Sequence, residues 1–340
     1  METPNSTSAS VTFSSVWTLE SLATLVGGQV KGKGTTPVLA LCSSNNPIQG
    51  GLGLALTPQS ADSLRTFGAI PLATSAEGPA LLHPQPKVAF AQLLVALRPP
   101  LAQVAVGIHP QAAVDETATI DPQASLSAFA FVGPHAVVEQ GATLHPFSHL
   151  GNRSILAQDA VLMPHATVME DCTIGARSVI GAGSVIGAQG FAIHPVKGHP
   201  RRLPHRGGVV IGSDVVLGGL NTIDGGMIDP TRIGEGSQTD GLCHIAHNVT
   251  LGKSALLAAQ TGIAGSTKVG DRFVAAGQVG LADHLQIGED VTAAAASKVL
   301  RDVPKGDTIA GFPARPYKET LRLWALLKRL PEIWKKERKG

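Results

Sequence analysis

The chain has 340 residues, 43% of them hydrophobic and 15% charged, with a formal net charge of +2. That composition is apolar enough to build cores and too weakly charged for a disordered chain or a nucleic-acid binder. Despite 39 glycines no Gly-X-Y period appears, which excludes collagen, and the aromatics (Phe 9, Trp 3, Tyr 1) are too few to fill a core with large rings.

Residues 1–16 are rich in Ser and Thr and read as a disordered tail, without the basic start and apolar run of a signal peptide. Cys42, Cys172 and Cys243 lie far apart with no CxxC pair, so neither a disulfide framework nor a zinc-finger pattern is present. No run approaches the roughly 20 apolar residues of a membrane span. A cytoplasmic protein with reduced thiols and no integral membrane segment is expected.

Residues 17–100 mix a helical start (Leu19, Leu22, Leu25, then Gly27-Gly28) with short apolar runs at 38–41 and 52–56. They predict a small α/β domain, closed by a helix through 90–97 and a boundary at Pro99-Pro100.

A six-residue period then takes over. From Ile108 to Ile186, all fourteen positions at that step are aliphatic, and the thirteen from Ala112 to Ser184 are only Ala, Ser or Cys. One aliphatic and one small residue per hexad is the pattern of a parallel β-helix, in which three hexads close one triangular coil. The aliphatic residue faces the inside of the prism and the small one fits its crowded corner, which leaves little room for rings. The period breaks at an insertion, 187–208, resumes at Ile211, Leu217 and Ile223, and shifts by four residues near Asp229–Arg232. It then runs from Ile233 to Val299, with Gly234, Gly252, Gly270 and Gly288 recurring every eighteen residues, where turns with positive φ are expected. About ten coils follow from this count, stacked at roughly 4.8 Å. Residues 104–315 are thus assigned to the solenoid.

Residues 316–340 predict a C-terminal amphipathic helix with Leu323, Trp324, Leu327 and Leu330, kinked or broken at Pro331. It carries eight Lys/Arg against Glu319, Glu332 and Glu337, a net +5. The insertion adds Lys197, Arg201, Arg202 and Arg206 without an acid, so the near-neutral total conceals two basic segments. The insertion could hold a phosphate or an acidic partner or be a solvated loop, and the helix could pack on the solenoid or bundle in an oligomer with a charged outer face.

On a solenoid, chemistry is sought where side chains break the pattern. The run Asp240-Gly-Leu-Cys-His244-Ile-Ala-His247-Asn248 and the segment Ala282-Asp283-His284 do so. His247 and Asp283 stand 36 residues apart, two coils up one column, with His284 beside it. These histidines are either a proton acceptor in a cleft or solvated capping residues. A metal bound jointly by His244, His247 and His284 would need a partner subunit, because neighbouring strand residues point to opposite sides.

The same residues carry a resemblance to the UDP-3-O-acylglucosamine N-acyltransferases of lipid A biosynthesis. The resemblance rests on the order of α/β domain, hexapeptide β-helix and C-terminal helix. It rests also on Gly190-Phe-Ala, Thr222-Ile-Asp-Gly-Gly, Ile245-Ala-His-Asn, Ile263-Ala-Gly-Ser and Gly311-Phe-Pro-Ala-Arg-Pro. It implies a mainly β chain whose solenoid is left-handed, an N-terminal domain of the uridine-binding type, a homotrimer with sites between prisms, and no cofactor or metal. The donor would be a 3-hydroxyacyl thioester on acyl carrier protein, docked by the basic terminal helix, and the acceptor the 2-amino group of a nucleotide-linked sugar.

By the match, His247 would be the general base, His284 would handle charge near the donor's phosphopantetheine, and the Gly265 N–H would stabilise the oxyanion. Asp240, Asn248, Asp224, Phe191 and Arg202 would contact substrate. The chain departs from the family where aromatics stack on uracil, reading Gly51-Leu-Gly-Leu-Ala-Leu-Thr-Pro-Gln-Ser60, at Gly225 in place of Arg, and at Gly241 in place of Asn. Ala293 to Ala296 replace bulky Met of the acyl pocket, which implies room for a longer or differently shaped chain. An O-acyltransferase of the same superfamily, or a paralogue kept as a scaffold, would share most of these features.

Overall fold

A computed structural model describes residues 11–97, 104–311 and 317–337. The chain divides at 103/104 into two units, each with its own core. The expected Pro99-Pro100 boundary and residues 312–316 of the Gly311 motif lie outside the described residues.

The first unit is a mixed sheet with three helices. Its strands are β1 (Val11–Thr18), β2 (Gln29–Lys31), β3 (Pro37–Cys42), β4 (Leu52–Leu54), β5 (Ile70–Ala73) and β6 (Ala80–Leu82), in the spatial order β1-β3-β4-β5-β6-β2. The inner four run parallel and the edge strands antiparallel. Helices α1 (Leu19–Val26) and α2 (Pro58–Thr66) both open with a Thr–Ser capping box, in which each hydroxyl accepts the other residue's backbone N–H. With α3 (Pro86–Ala96) they bury Leu19, Leu22, Leu64, Ala89 and Leu93. Residues 11–16, expected in a disordered tail, instead belong to β1, paired antiparallel with β3. The Ser/Thr content masked a strand-like alternation, and an open sheet edge supplied the partner.

The second unit is the left-handed parallel β-helix. Its short strands form three parallel sheets of eleven, ten and nine strands, which makes ten coils. Residues one coil apart pair in register, as Leu126 with Leu144 and Leu144 with Leu162. Leu126, Val132, Val138, Leu144 and the aliphatic positions on to Ile186 are at most 1% exposed, with Ala124, Ala130, Ala136 and Ala142 wholly buried beside them. Phe273 is a wholly buried ring in the core of this unit, occupying a corner position kept small in the first coils. It fits because its neighbouring inward residue is Ala275, a volume exchange within one coil.

The glycines at 234, 252, 270 and 288 do not take the positive φ expected of them. The left-handed corner residues in their turns are Gly236, Ser254, Arg272 and Asp290, with φ between 54° and 70°. The eighteen-residue glycines answer a different demand: a β-carbon on any of them would strike the backbone of the next coil. The corners differ in chemistry. One stacks Phe129, Phe147 and His165 with 5.0 Å between successive ring centres, another carries the Arg177–Asp214 and Arg272–Asp290 pairs, and the third leads to Asn248, Ser266 and His284.

The insertion leaves the prism as an exposed hairpin, Ile193–Val196 paired with His199–Arg202, and returns at Val209. Helix α4 (Tyr317–Glu337) runs through Pro331 without ending there, because proline's fixed φ suits a helix and its missing N–H removes one bond from a long ladder. Leu321, Trp324, Leu327 and Leu330 of α4 are exposed. No helix among the described residues is long and apolar enough to cross a membrane.

Candidate active site

The strand His244–Ile245 turns Ile245 inward and His244 outward, and the turn after it carries His247 and Asn248. The next two coils place Gly265 and then Asp283-His284 in the same column, linked by the bonds Ser266 N–H to His247 C=O (3.0 Å) and His284 N–H to Gly265 C=O (3.0 Å). His244, His247, Gly265, Asp283 and His284, together with Phe191, Asp224, Gly262 and Leu281, line a cavity of about 570 Å³.

His247 is held from several directions. Its Nδ1 lies 3.2 Å from Asn248 Oδ1. That amide cannot be turned round, since its Nδ2 donates to the Asp229 carbonyl at 2.9 Å and its Oδ1 also accepts the Met227 N–H at 3.1 Å. In the neutral imidazole Nδ1 therefore carries the proton, which leaves the lone pair on Nε2. Asn248 adopts φ 58°, a conformation asparagine tolerates, and its own N–H donates to Thr231 Oγ1 at 2.9 Å. Nε2 and Cε1 face Gly265 so closely that a β-carbon there would fall 2.8 Å from each. The ring of His205, from the end of the insertion, stands 4.8 Å from that of His247.

A second histidine pair lines the cavity. His244 Nε2 lies 3.5 Å from Oδ2 of Asp224, whose side chain is only 5% exposed. The hydrogen bond that His244 donates to the Asp224 carboxylate raises the imidazole above its ordinary pKa, against the opposing effect of partial burial. The three thiols are held protonated by burial: Cys172 is pushed up to about 12, and Cys42 and Cys243 are raised. Cys243, one residue before His244, is thus a poor nucleophile and packs in the prism core.

Of the residues singled out in the sequence, the fold brings His247, His284, Gly265, Asp224 and Phe191 to one cavity. Asn248 holds the first of them, and Arg202 reaches the Phe191 ring, its guanidinium carbon 5.3 Å from the ring centre. Asp240 is not among the lining residues. It sits in the preceding turn, seven residues before His247 and so on a different corner, where its Oδ1 accepts the N–H of Gly241 at 2.7 Å. The sequence reading gave His205 no role and His244 only a metal-binding one. His244 could have been found as the outward residue paired with Thr222 across the four-residue shift; His205 lies outside any period.

The chain is similar in sequence and in fold to known proteins. A family model described as bacterial transferase hexapeptide (six repeats) matches residues 153–188. A solved structure of Arabidopsis UDP-N-acetylglucosamine acyltransferase superposes with a TM-score of 0.50 at 28% identity, over 60% of this chain and 71% of that one. A UDP-3-O-acylglucosamine N-acyltransferase of Caulobacter vibrioides (strain NA1000 / CB15N) is 57% identical over 128 residues, 38% of each chain. Another, from Methylacidiphilum infernorum (isolate V4), is 39% identical over 329 residues, 95% of this chain and 94% of that one. The protein is an acyltransferase, and with identity sustained over nearly its whole length it belongs to the UDP-3-O-acylglucosamine N-acyltransferase family.

Proposed function

We propose that the chain transfers a 3-hydroxyacyl group from acyl carrier protein to the 2-amino group of UDP-3-O-acylglucosamine, a step of lipid A synthesis, with His247 as general base. The observation that carries this reading is the fixed tautomer of His247, which leaves Nε2 as an acceptor at the cavity beside Gly265. The amine nitrogen attacks the thioester carbon and gives its proton to Nε2. The tetrahedral oxyanion takes the Gly265 N–H, which has no protein acceptor among the described residues. Collapse breaks the C–S bond, the amide forms, and the thiolate leaves with the proton returned from His247. His284, at the rim of the same column, meets the donor's phosphopantetheine. The Asp224–His244 pair and Phe191, with Arg202 behind it, contact the sugar nucleotide.

The N-terminal unit supplies the uridine site in this reading. Leu54, Leu56, Thr57 and Ser60 line a cavity of about 470 Å³ there, and α3 contributes Phe90, a ring outside the stretch where the family's aromatics fall. Three copies assemble as a trimer, and the basic α4 receives the acidic carrier through rim electrostatics that speed association. The setting in this reading is the cytoplasm.

The test is transfer of a labelled 3-hydroxyacyl chain from its carrier to UDP-3-O-acylglucosamine. His247→Ala should lower turnover by about 10²-fold or more; full turnover in that variant removes the base. An alkali-labile ester product would favour O-acylation. Carrier binding with no transfer would favour a scaffold.

A further inference from the structure

The insertion at 187–208 does more than extend a hairpin. Its first turn contains Gly190, and its last brings His205 back against the prism. A β-carbon on Gly190 would fall 2.7 Å from His205 Nε2 and 2.9 Å from His247 Cβ, so the missing side chain is what lets the two histidines meet. Their rings lie 4.8 Å apart at 55°. His205 is itself anchored, with Nδ1 3.0 Å from the Leu203 carbonyl and 2.9 Å from Gln189 Nε2. Its Nε2 is buried and has no hydrogen-bond partner among the described residues. Leaving a buried ring nitrogen unpaired costs on the order of 1–3 kcal/mol, which singles this ring out from one placed for stability alone.

We propose that His205 is a positioning residue for acyl transfer: its ring is the wall that holds the His247 imidazole with Nε2 turned to Gly265 and the cavity. The inference rests on the reading of His247 as the base. Asn248 fixes which nitrogen bears the proton, Gly265 sets how close the ring may come, and His205 closes the side from which the ring could swing away. Burial, with the neighbouring His247 adding to it, lowers the pKa of His205 and favours its neutral form. A neutral wall does not repel His247 when the base takes its proton.

The experiment uses the full chain with the acyl-carrier donor and UDP-3-O-acylglucosamine. His205→Ala should lower kcat about tenfold or more while KM for both substrates stays within about twofold, as expected when a reacting group loses orientation. His205→Phe, which keeps the ring and discards the nitrogens, should restore kcat to within about threefold of the parent. If the alanine variant does not fold, His205→Ser, which removes the same ring without touching His247, should reproduce the kcat loss. Unchanged kcat in His205→Ala overturns the proposal, as does a phenylalanine variant as impaired as the alanine one, or a rise in KM at constant kcat. His247→Ala, run in parallel, separates the two readings. If it is inactive while His205→Ala is normal, only this inference fails; if it is fully active, the base assignment fails first.

Discussion

The imidazole of His247 and the α-carbon of Gly265 are in such close contact that no side chain fits between them: a β-carbon would sit 2.8 Å from both Cε1 and Nε2. Gly265→Ala should therefore push the ring aside and lower kcat/KM by about 10²-fold, the scale of a misplaced catalytic group. The melting temperature should change little, since the clash is with a side chain at the surface of the prism. A steady-state assay beside a thermal melt checks it, and full activity would show the ring to be free to move.

Asn248 makes the complementary contact. Asn248→Ala removes the acceptor that holds His247 Nδ1–H, along with the bonds to Met227 and Asp229. Turnover should fall about tenfold to 10²-fold with KM less affected. Asn248→Gly tolerates the positive φ better and should melt higher than the alanine variant, yet be equally slow. Equal rates for wild type and both variants would remove the tautomer argument.

Asp224 and His244 give a pH dependence whose sign is fixed. The folded pKa of His244 is raised by the carboxylate, so the pair's contribution is fully present below the ordinary imidazole value of about 6.5. It fades as pH rises through the folded one. The melting temperature of the parent relative to His244→Gln should thus be most favourable on the acid side of that window and should converge toward alkaline pH. A difference that grows with pH would contradict the assignment.

Two glycines on the prism separate packing from function. At Gly252 a β-carbon would meet Gly270 C at 2.5 Å and Asp271 N at 2.6 Å, whereas at Gly262 nothing lies within 4 Å. Gly252→Ala should cost about 1–3 kcal/mol by overpacking, read as a lower melting temperature. Gly262→Ala should melt as the parent does, while Gly262→Leu, filling the cavity, should raise KM. The opposite ranking of the two alanine variants in a melt would reject this account.

The hexad period was enough to foresee the prism, its ten coils, the inward Leu and Ile columns and the scarcity of rings, because a repeat of six imposes the same contact at every step. The pattern also marked His247, Asp283 and His284 as neighbours, since eighteen residues return the chain to one column. It failed where residues left the period. The eighteen-residue glycines looked like turn formers and proved to be points of backbone contact, a distinction between φ and spacing that only coordinates show. The Ser/Thr-rich segment 11–16 gave no sign that an edge strand would receive it.

The sequence by itself determined the class of this protein: hexads fix the solenoid, and matched motifs fix the family. The tertiary structure decided what the motif residues do. That Nδ1 of His247 bears the proton follows from the hydrogen bonds of the Asn248 amide, whose Oδ1 accepts from Met227 and His247 and whose Nδ2 donates to the Asp229 carbonyl. That His205 stands against His247, 42 positions later, follows from an insertion that closes on itself outside any period. Local spacing carries information along a repeat; contacts between an insertion and the repeat are set by chain closure in three dimensions.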